Sequence, residues 1–178
     1  MALKLDVYAI VGESNAGKST MVKHLTSQSE SIESGSRDGR KHGFFEILLQ
    51  NDTTLDIWTR RMALQEAVLS PERAVAYISS KFESPKRPSN CNTILIALRD
   101  RQHSGLADGD KYLKYFSKQG WSIKSLVLMH SVTGVKRYED LGVTPLTLDS
   151  EFDAPDKDLS PHSISDRVGR IRDHFGWK

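Results

Sequence analysis

The chain reads as an α/β protein: a three-layer, doubly wound, mostly parallel sheet with an early antiparallel hairpin at one edge. Three observations predict this. Strand-like apolar segments alternate with helix-like amphipathic ones along most of the 178 residues, the pattern of βα units feeding a parallel sheet. Thr93-Ile94-Leu95-Ile96-Ala97-Leu98 is apolar almost without a break, as a strand covered on both faces must be. Residues 3–11 form a strand-like run that turns apolar and enters Gly12-Glu13-Ser14-Asn15-Ala16-Gly17-Lys18-Ser19, which fits the pattern GxxxxGK[ST] at every fixed position. Helix-like residues 20–25 follow, so strand, glycine loop and helix stand in the order this pattern requires.

The elements follow in order. A first helix is expected from Lys18 to about Ser27, with Met21, Val22 and Leu25 on one face. Residues 27–41 are rich in serine, glycine and charge and read as a mobile loop, placed where it could close over a bound ligand. Residues 44–49 and 53–58 read as two strands, with Asn51-Asp52 as turn chemistry, hence an antiparallel hairpin. Residues 62–68 suggest a short helix. Ser70-Pro71-Glu72-Arg73 is a helix start that should run to about Phe82. Residues 83–90 form a proline-punctuated basic loop without the interleaved aromatics of a nucleic-acid platform. Beyond the strand at 93–98, residues 110–119 read as a helix stopped by Gly120, residues 122–129 as a strand and residues 144–148 as a short one. A loop over 154–161 precedes an amphipathic helix over 163–175, carried by Ile164, Val168, Ile171 and Phe175.

Composition narrows the function classes. A length of 178 residues suits a single domain, here 1–178, with a sizeable core. The formal net charge of +2 gives no electrostatic footprint of a nucleic-acid or membrane binder. No apolar run approaches the ~20 residues of a membrane helix, and Asp6 interrupts the opening apolar stretch, unlike a secretory signal. One cysteine, Cys91, fits a reducing, cytoplasmic setting. The six histidines show no metal-ligand spacing.

The glycine loop carries the chemistry. Gly12 and Gly17 lack Cβ atoms, so the backbone can approach an anion closely. The amides of residues 12–20 would form a nest, with a helix N-terminus behind it. Lys18 is expected on the β- and γ-phosphates of a nucleoside triphosphate, Ser19 on Mg²⁺, and Thr20 near the α-phosphate. Glu13 and Ser14 would lie on the γ-phosphate side or face solvent.

The succession of elements resembles the small GTPase-like (G-domain) topology of the P-loop NTPase superfamily. Ser14-Asn15-Ala16-Gly17-Lys18-Ser19 is similar to the loop of bacterial translation-factor-class GTPases, several of which place Asn two residues before Gly-Lys. Leu55-Asp56-Ile57-Trp58-Thr59 resembles the second hairpin strand of Ras-like proteins, which often ends Ile-Trp-Asp-Thr. The resemblance implies a P-loop fold binding Mg²⁺ and ATP or GTP. Two motifs diverge: Thr59-Arg60-Arg61-Met62 stands where the family has Asp-x-x-Gly, and His130-Ser131-Val132-Thr133 where it reads guanine with Asn-Lys-x-Asp.

The remaining parts are sought nearby. Asp100, at the carboxyl end of the apolar strand, is where a Mg²⁺-supporting acid belongs; the alternatives are a solvated loop carboxylate or a partner of Arg99 or Arg101. Asp56 and Asp52 rank below it. Arg99, Arg101 and His103 gather at the same edge, and the arginines could stabilise charge on a transferring phosphoryl group; Arg37, Arg40, Arg60 and Arg61 compete for that role. Three readings follow: a slow Mg²⁺-dependent nucleoside triphosphatase coupled to a protein partner or a conformational change, a small-molecule or nucleotide kinase, and a regulatory module that binds nucleotide without turnover.

Overall fold

The computed structural model describes residues 3–26, 42–129, 134–148 and 161–178. The expected mobile loop over 27–41 with Arg37 and Arg40, the stretch His130-Ser131-Val132-Thr133, and residues 154–160 of the expected late loop lie outside the described residues. The strands are β1 (Asp6–Gly12), β2 (His42–Leu48), β3 (Thr54–Arg60), β4 (Thr93–Arg99), β5 (Ser122–Leu128) and β6 (Leu146–Thr147). The helices are α1 (Lys18–Thr26), α2 (Pro71–Phe82), α3 (Gly109–Lys118), α4 (Lys136–Glu139) and α5 (Pro161–Phe175).

One six-stranded sheet runs in the order β2-β3-β4-β1-β5-β6. The hairpin pair β2–β3 is antiparallel, and β3–β4, β4–β1, β1–β5 and β5–β6 are parallel. The hairpin therefore hangs its first strand on the sheet edge, as its short turn requires. The central strands β1 and β4 are buried through most of their length, so neither face can be polar.

Alternation along these strands feeds two apolar layers. Val7, Ala9, Val11, Ile94, Ile96 and Leu98 pack with Ala74 and Ile78 of α2 and Leu113 and Phe116 of α3. Ile10, Leu95 and Ala97 pack on the other face with Met21 and Leu25 of α1 and Ile171 and Phe175 of α5. Burying side chains of this size contributes about 1.5–3 kcal/mol each. The C-terminus is tied to the hairpin: Leu49 bridges Trp177, and the Lys178 amide donates to the Leu48 carbonyl at 2.8 Å.

Local chemistry sets the helix ends. Ser70 caps α2, accepting from the Arg73 amide at 3.3 Å, with Pro71 in the first turn. α5 begins at Pro161 rather than the expected Ser163, since proline's missing N–H costs nothing in the first turn. α4 has four residues, too few for a periodic signal. The helix expected over 62–68 is a 3₁₀ turn, Gln65–Ala67. It stops at Val68, held at φ 56° and ψ 36°, a left-handed conformation that a β-branched residue adopts only under strain.

Val68 is also 60% exposed, so little burial is lost by trimming it. Val68→Gly should therefore stabilise the fold by about 1 kcal/mol, the left-handed penalty removed less the entropy of glycine, read from chemical denaturation. A second prediction concerns alkaline pH. Burial pushes the Cys91 thiol from its usual 9.0 to about 11 and the Tyr112 phenol from 10.0 to about 12. Both folded values lie above the unfolded ones, so the stabilisation is complete below pH 9.0 and is lost as pH rises from 9.0 to about 12, the Cys91 part first and the Tyr112 part above it. The thermal midpoint should fall across that window, and Cys91→Ala should flatten its lower part.

Candidate phosphate-binding site

The site begins where β1 ends. Gly12 is paired in register with Arg99 of β4, and on the other side the Met129 amide donates to the Val11 carbonyl at 2.7 Å. A Cβ on Gly12 would stand 2.7 Å from Met129 Cβ and 3.1 Å from Ala16 Cβ, so only glycine fits. The chain then turns through Asn15 at φ 61° and Gly17 at φ 84°. Asparagine and glycine are the residue types that take the left-handed region most readily. The Ala16 amide donates to the Glu13 carbonyl at 3.3 Å, closing the loop, and the Met21 amide donates to the Gly17 carbonyl at 2.9 Å, starting the helical ladder. Among the described residues the amides of Asn15 and Gly17 meet no backbone carbonyl, as in a backbone concavity suited to an anion.

Lys18 folds back over this loop. Its ammonium donates to the carbonyls of Gly12 at 2.9 Å and Glu13 at 2.5 Å, and the side chain is almost wholly buried. The Ser19 hydroxyl donates to the Arg61 carbonyl at 3.1 Å, joining the start of α1 to the end of β3. Asn15, Gly17, Lys18, Ser19 and Glu66 line a pocket of about 150 Å³. That is below the ~300–1,000 Å³ of a whole small-molecule site, so it suits the phosphate end of a ligand.

Arg99 links the pocket's Glu66 to Ser14 of the loop. Its Nε lies 3.1 Å from a Glu66 oxygen and its Nη2 donates to the Ser14 hydroxyl at 3.3 Å. Gln65 fixes the same residue through the backbone: its side-chain amide donates to the Arg99 carbonyl at 3.0 Å and accepts from the Arg99 amide at 3.1 Å. Arg101 pairs with Glu13 at 3.1 Å but is 61% exposed, so this contact is worth well under about 1 kcal/mol. His103 forms an isolated bridge with Leu106, outside the pocket wall.

Asp100 lies elsewhere. Its amide donates to the Gly12 carbonyl at 3.3 Å, but its fully buried carboxylate accepts from Arg137 at 2.6 Å and from the Tyr138 hydroxyl at 2.7 Å. Asp108 and Asp110 also face Arg137, at 3.2 and 3.6 Å. Burial first, and then its bond to Asp100, push the Tyr138 phenol far above its usual range. Burial pulls the Arg137 guanidinium down, but the surrounding carboxylates outweigh it and leave it raised. The network locks α4 and the start of α3 to the end of β4; there the Gly109 amide donates to the Asp100 carbonyl at 3.2 Å.

The structure thus brings the loop residues 12–19 together with Arg99, and holds the Asp100 carboxylate in a different network. Strand alternation is the signal that separates them. Leu98 and Ile96 face the α2–α3 layer, and Asp100 continues their row; Arg99 follows Leu95 and Ala97 on the α1 side. The pocket carboxylate, Glu66, carries no motif that sequence reasoning could use.

A metal needs more than this pocket's protein groups. Among the described residues no three His, Cys, Asp or Glu side chains are placed to hold one. A hydroxyl from Ser19 and a carboxylate from Glu66 do fit Mg²⁺, which takes few protein oxygens and completes its shell with phosphate oxygens and water.

The chain matches no protein-family model and no curated protein. Among the described residues no helix is long and apolar enough to cross a membrane.

Two substitutions test this geometry. Gly12→Ala should destabilise the fold by about 1–3 kcal/mol, because backbone-borne Cβ atoms must move apart. Asp100→Asn should cost a similar amount, about 1.5–3 kcal/mol, by weakening the charged bonds to Arg137 and Tyr138. Denaturant midpoints check both.

Proposed function

We propose that this chain is a cytoplasmic P-loop protein that binds a Mg²⁺-nucleoside triphosphate, ATP or GTP, in the loop of residues 12–19 and hydrolyses it. One observation carries the reading: between a buried parallel strand and a helix, Asn15 and Gly17 bend the backbone around a pocket that Lys18 and Ser19 also line. A strand-to-helix turn with left-handed residues, amides that meet no backbone carbonyl among the described residues, and a lysine suits a polyphosphate. The loop's position at the carboxyl end of β1 also accords with the general rule that open parallel sheets bind ligands at the carboxyl ends of their strands.

Each residue then has a task. The amides from Asn15 to Ser19 hold the phosphate oxygens. Lys18, freed from the carbonyls of Gly12 and Glu13, offsets charge at the β,γ-bridge. Ser19 would hold Mg²⁺, which supplies charge neutralisation at the β- and γ-oxygens. Arg99, already in contact with Ser14 of the loop, would offset charge at the terminal phosphate; Arg101 stands further into solvent. A water attacking in line would complete hydrolysis.

Lys18→Ala should abolish binding of both Mg²⁺-ATP and Mg²⁺-GTP, measured by titration calorimetry at matched protein stability. Binding unchanged for the nucleotide that the wild type takes would overturn the role of Lys18. Release of inorganic phosphate from the bound nucleotide without an added acceptor marks hydrolysis; phosphate appearing only on an added metabolite marks a kinase instead.

A further inference from the structure

A carboxylate in a pocket proposed for a polyphosphate is a conflict of charge, and its placement is too constrained to be casual. Glu66 sits in the 3₁₀ turn after β3 and lines the pocket with Lys18 and Ser19, its side chain about a third exposed. Two independent devices keep it there. Arg99 pairs with it at 3.1 Å. Beneath that pair, Gln65 clamps both backbone groups of Arg99, so the turn would stay in place even if the Arg99 side chain swung away. The left-handed Val68 that ends the turn is a strained conformation retained at the same spot.

We infer that Glu66 makes this pocket selective for a polyphosphate that carries a divalent cation and against the same polyphosphate without one. The inference rests on the proposed triphosphate reading and deepens it. The chemistry is direct. A metal-free triphosphate brings several negative charges against the Glu66 carboxylate at short range, where the shielding of bulk water is reduced. A cation between the two reverses the sign of that contact, and the Ser19 hydroxyl beside Glu66 gives the cation a second oxygen. Arg99 acts on Glu66 as a positioning residue: the 3.1 Å pair holds the carboxylate at the pocket wall and links it to Ser14 in the loop.

The test compares dissociation constants for ATP and for GTP, each with excess Mg²⁺ and with EDTA, for the wild type and for Glu66→Gln, by titration calorimetry. Glu66→Gln keeps the size and the polar contact with Arg99 but removes the charge. The expected result is a strong Mg²⁺ preference in the wild type that shrinks ten-fold or more in Glu66→Gln, with a thermal midpoint close to the wild type. Glu66→Asp, which keeps the charge, should retain most of the preference, a distinction a purely structural role would not produce. A smaller shrinkage in Glu66→Gln overturns the inference while leaving the phosphate-loop reading standing. If Glu66→Gln does not fold, Glu66→Ser is judged by the same ten-fold criterion. Failure of the wild type to bind either nucleotide overturns the phosphate-loop reading, and this inference with it.

Discussion

The Gly12 peptide is the point on which this end of the molecule is assembled. Its carbonyl receives the Asp100 amide at 3.3 Å from one side and the Lys18 ammonium at 2.9 Å from the loop it begins. Its missing Cβ lets Met129 and Ala16 close in. One residue therefore ties the end of β1 to the chain leaving β4, lets Met129 beyond β5 pack against it and sets the start of the loop. A larger side chain would part β1 from β5 just where Asn15 and Gly17 have to bend the chain back toward α1. Interiors are packed too densely to absorb such a change without cost.

From that point the sheet distributes charge by parity. Side chains on successive strand residues face opposite layers. Arg99 goes to the side of α1 and the loop, and Asp100 to the side of α3 and α4. The consequence is two adjacent polar systems with different tasks. The network of Asp100, Arg137 and Tyr138 is buried and hydrogen-bonded, which suits holding elements together. The set of Ser14, Lys18, Ser19, Glu66 and Arg99 is partly open, which suits a ligand.

Much of this was legible in the residues. The unbroken apolar run of β4 announced a strand covered on both faces, the spacing of glycines, lysine and serine announced the loop, and Ser70-Pro71 announced α2 to the residue. The hairpin followed from the short turn at Asn51-Asp52. What was not legible depends on long-range placement. Asp100 occupies the expected end of a central strand, but only the facing of Leu98 and Ile96 shows that its carboxylate goes to the other layer. Glu66 belongs to a turn of three residues with no periodicity, and it reaches the pocket because Gln65 is pinned to β4, thirty-four positions along the chain. α4 is too short to leave a pattern.

The most direct measurement is a crystal structure of the protein grown with a non-hydrolysable Mg²⁺-triphosphate. Phosphate oxygens are expected within hydrogen-bonding distance of the amides from Asn15 to Ser19, with the Lys18 ammonium moved from the Gly12 and Glu13 carbonyls onto the anion. A triphosphate bound away from this loop, with Lys18 still on those two carbonyls, would contradict the assignment.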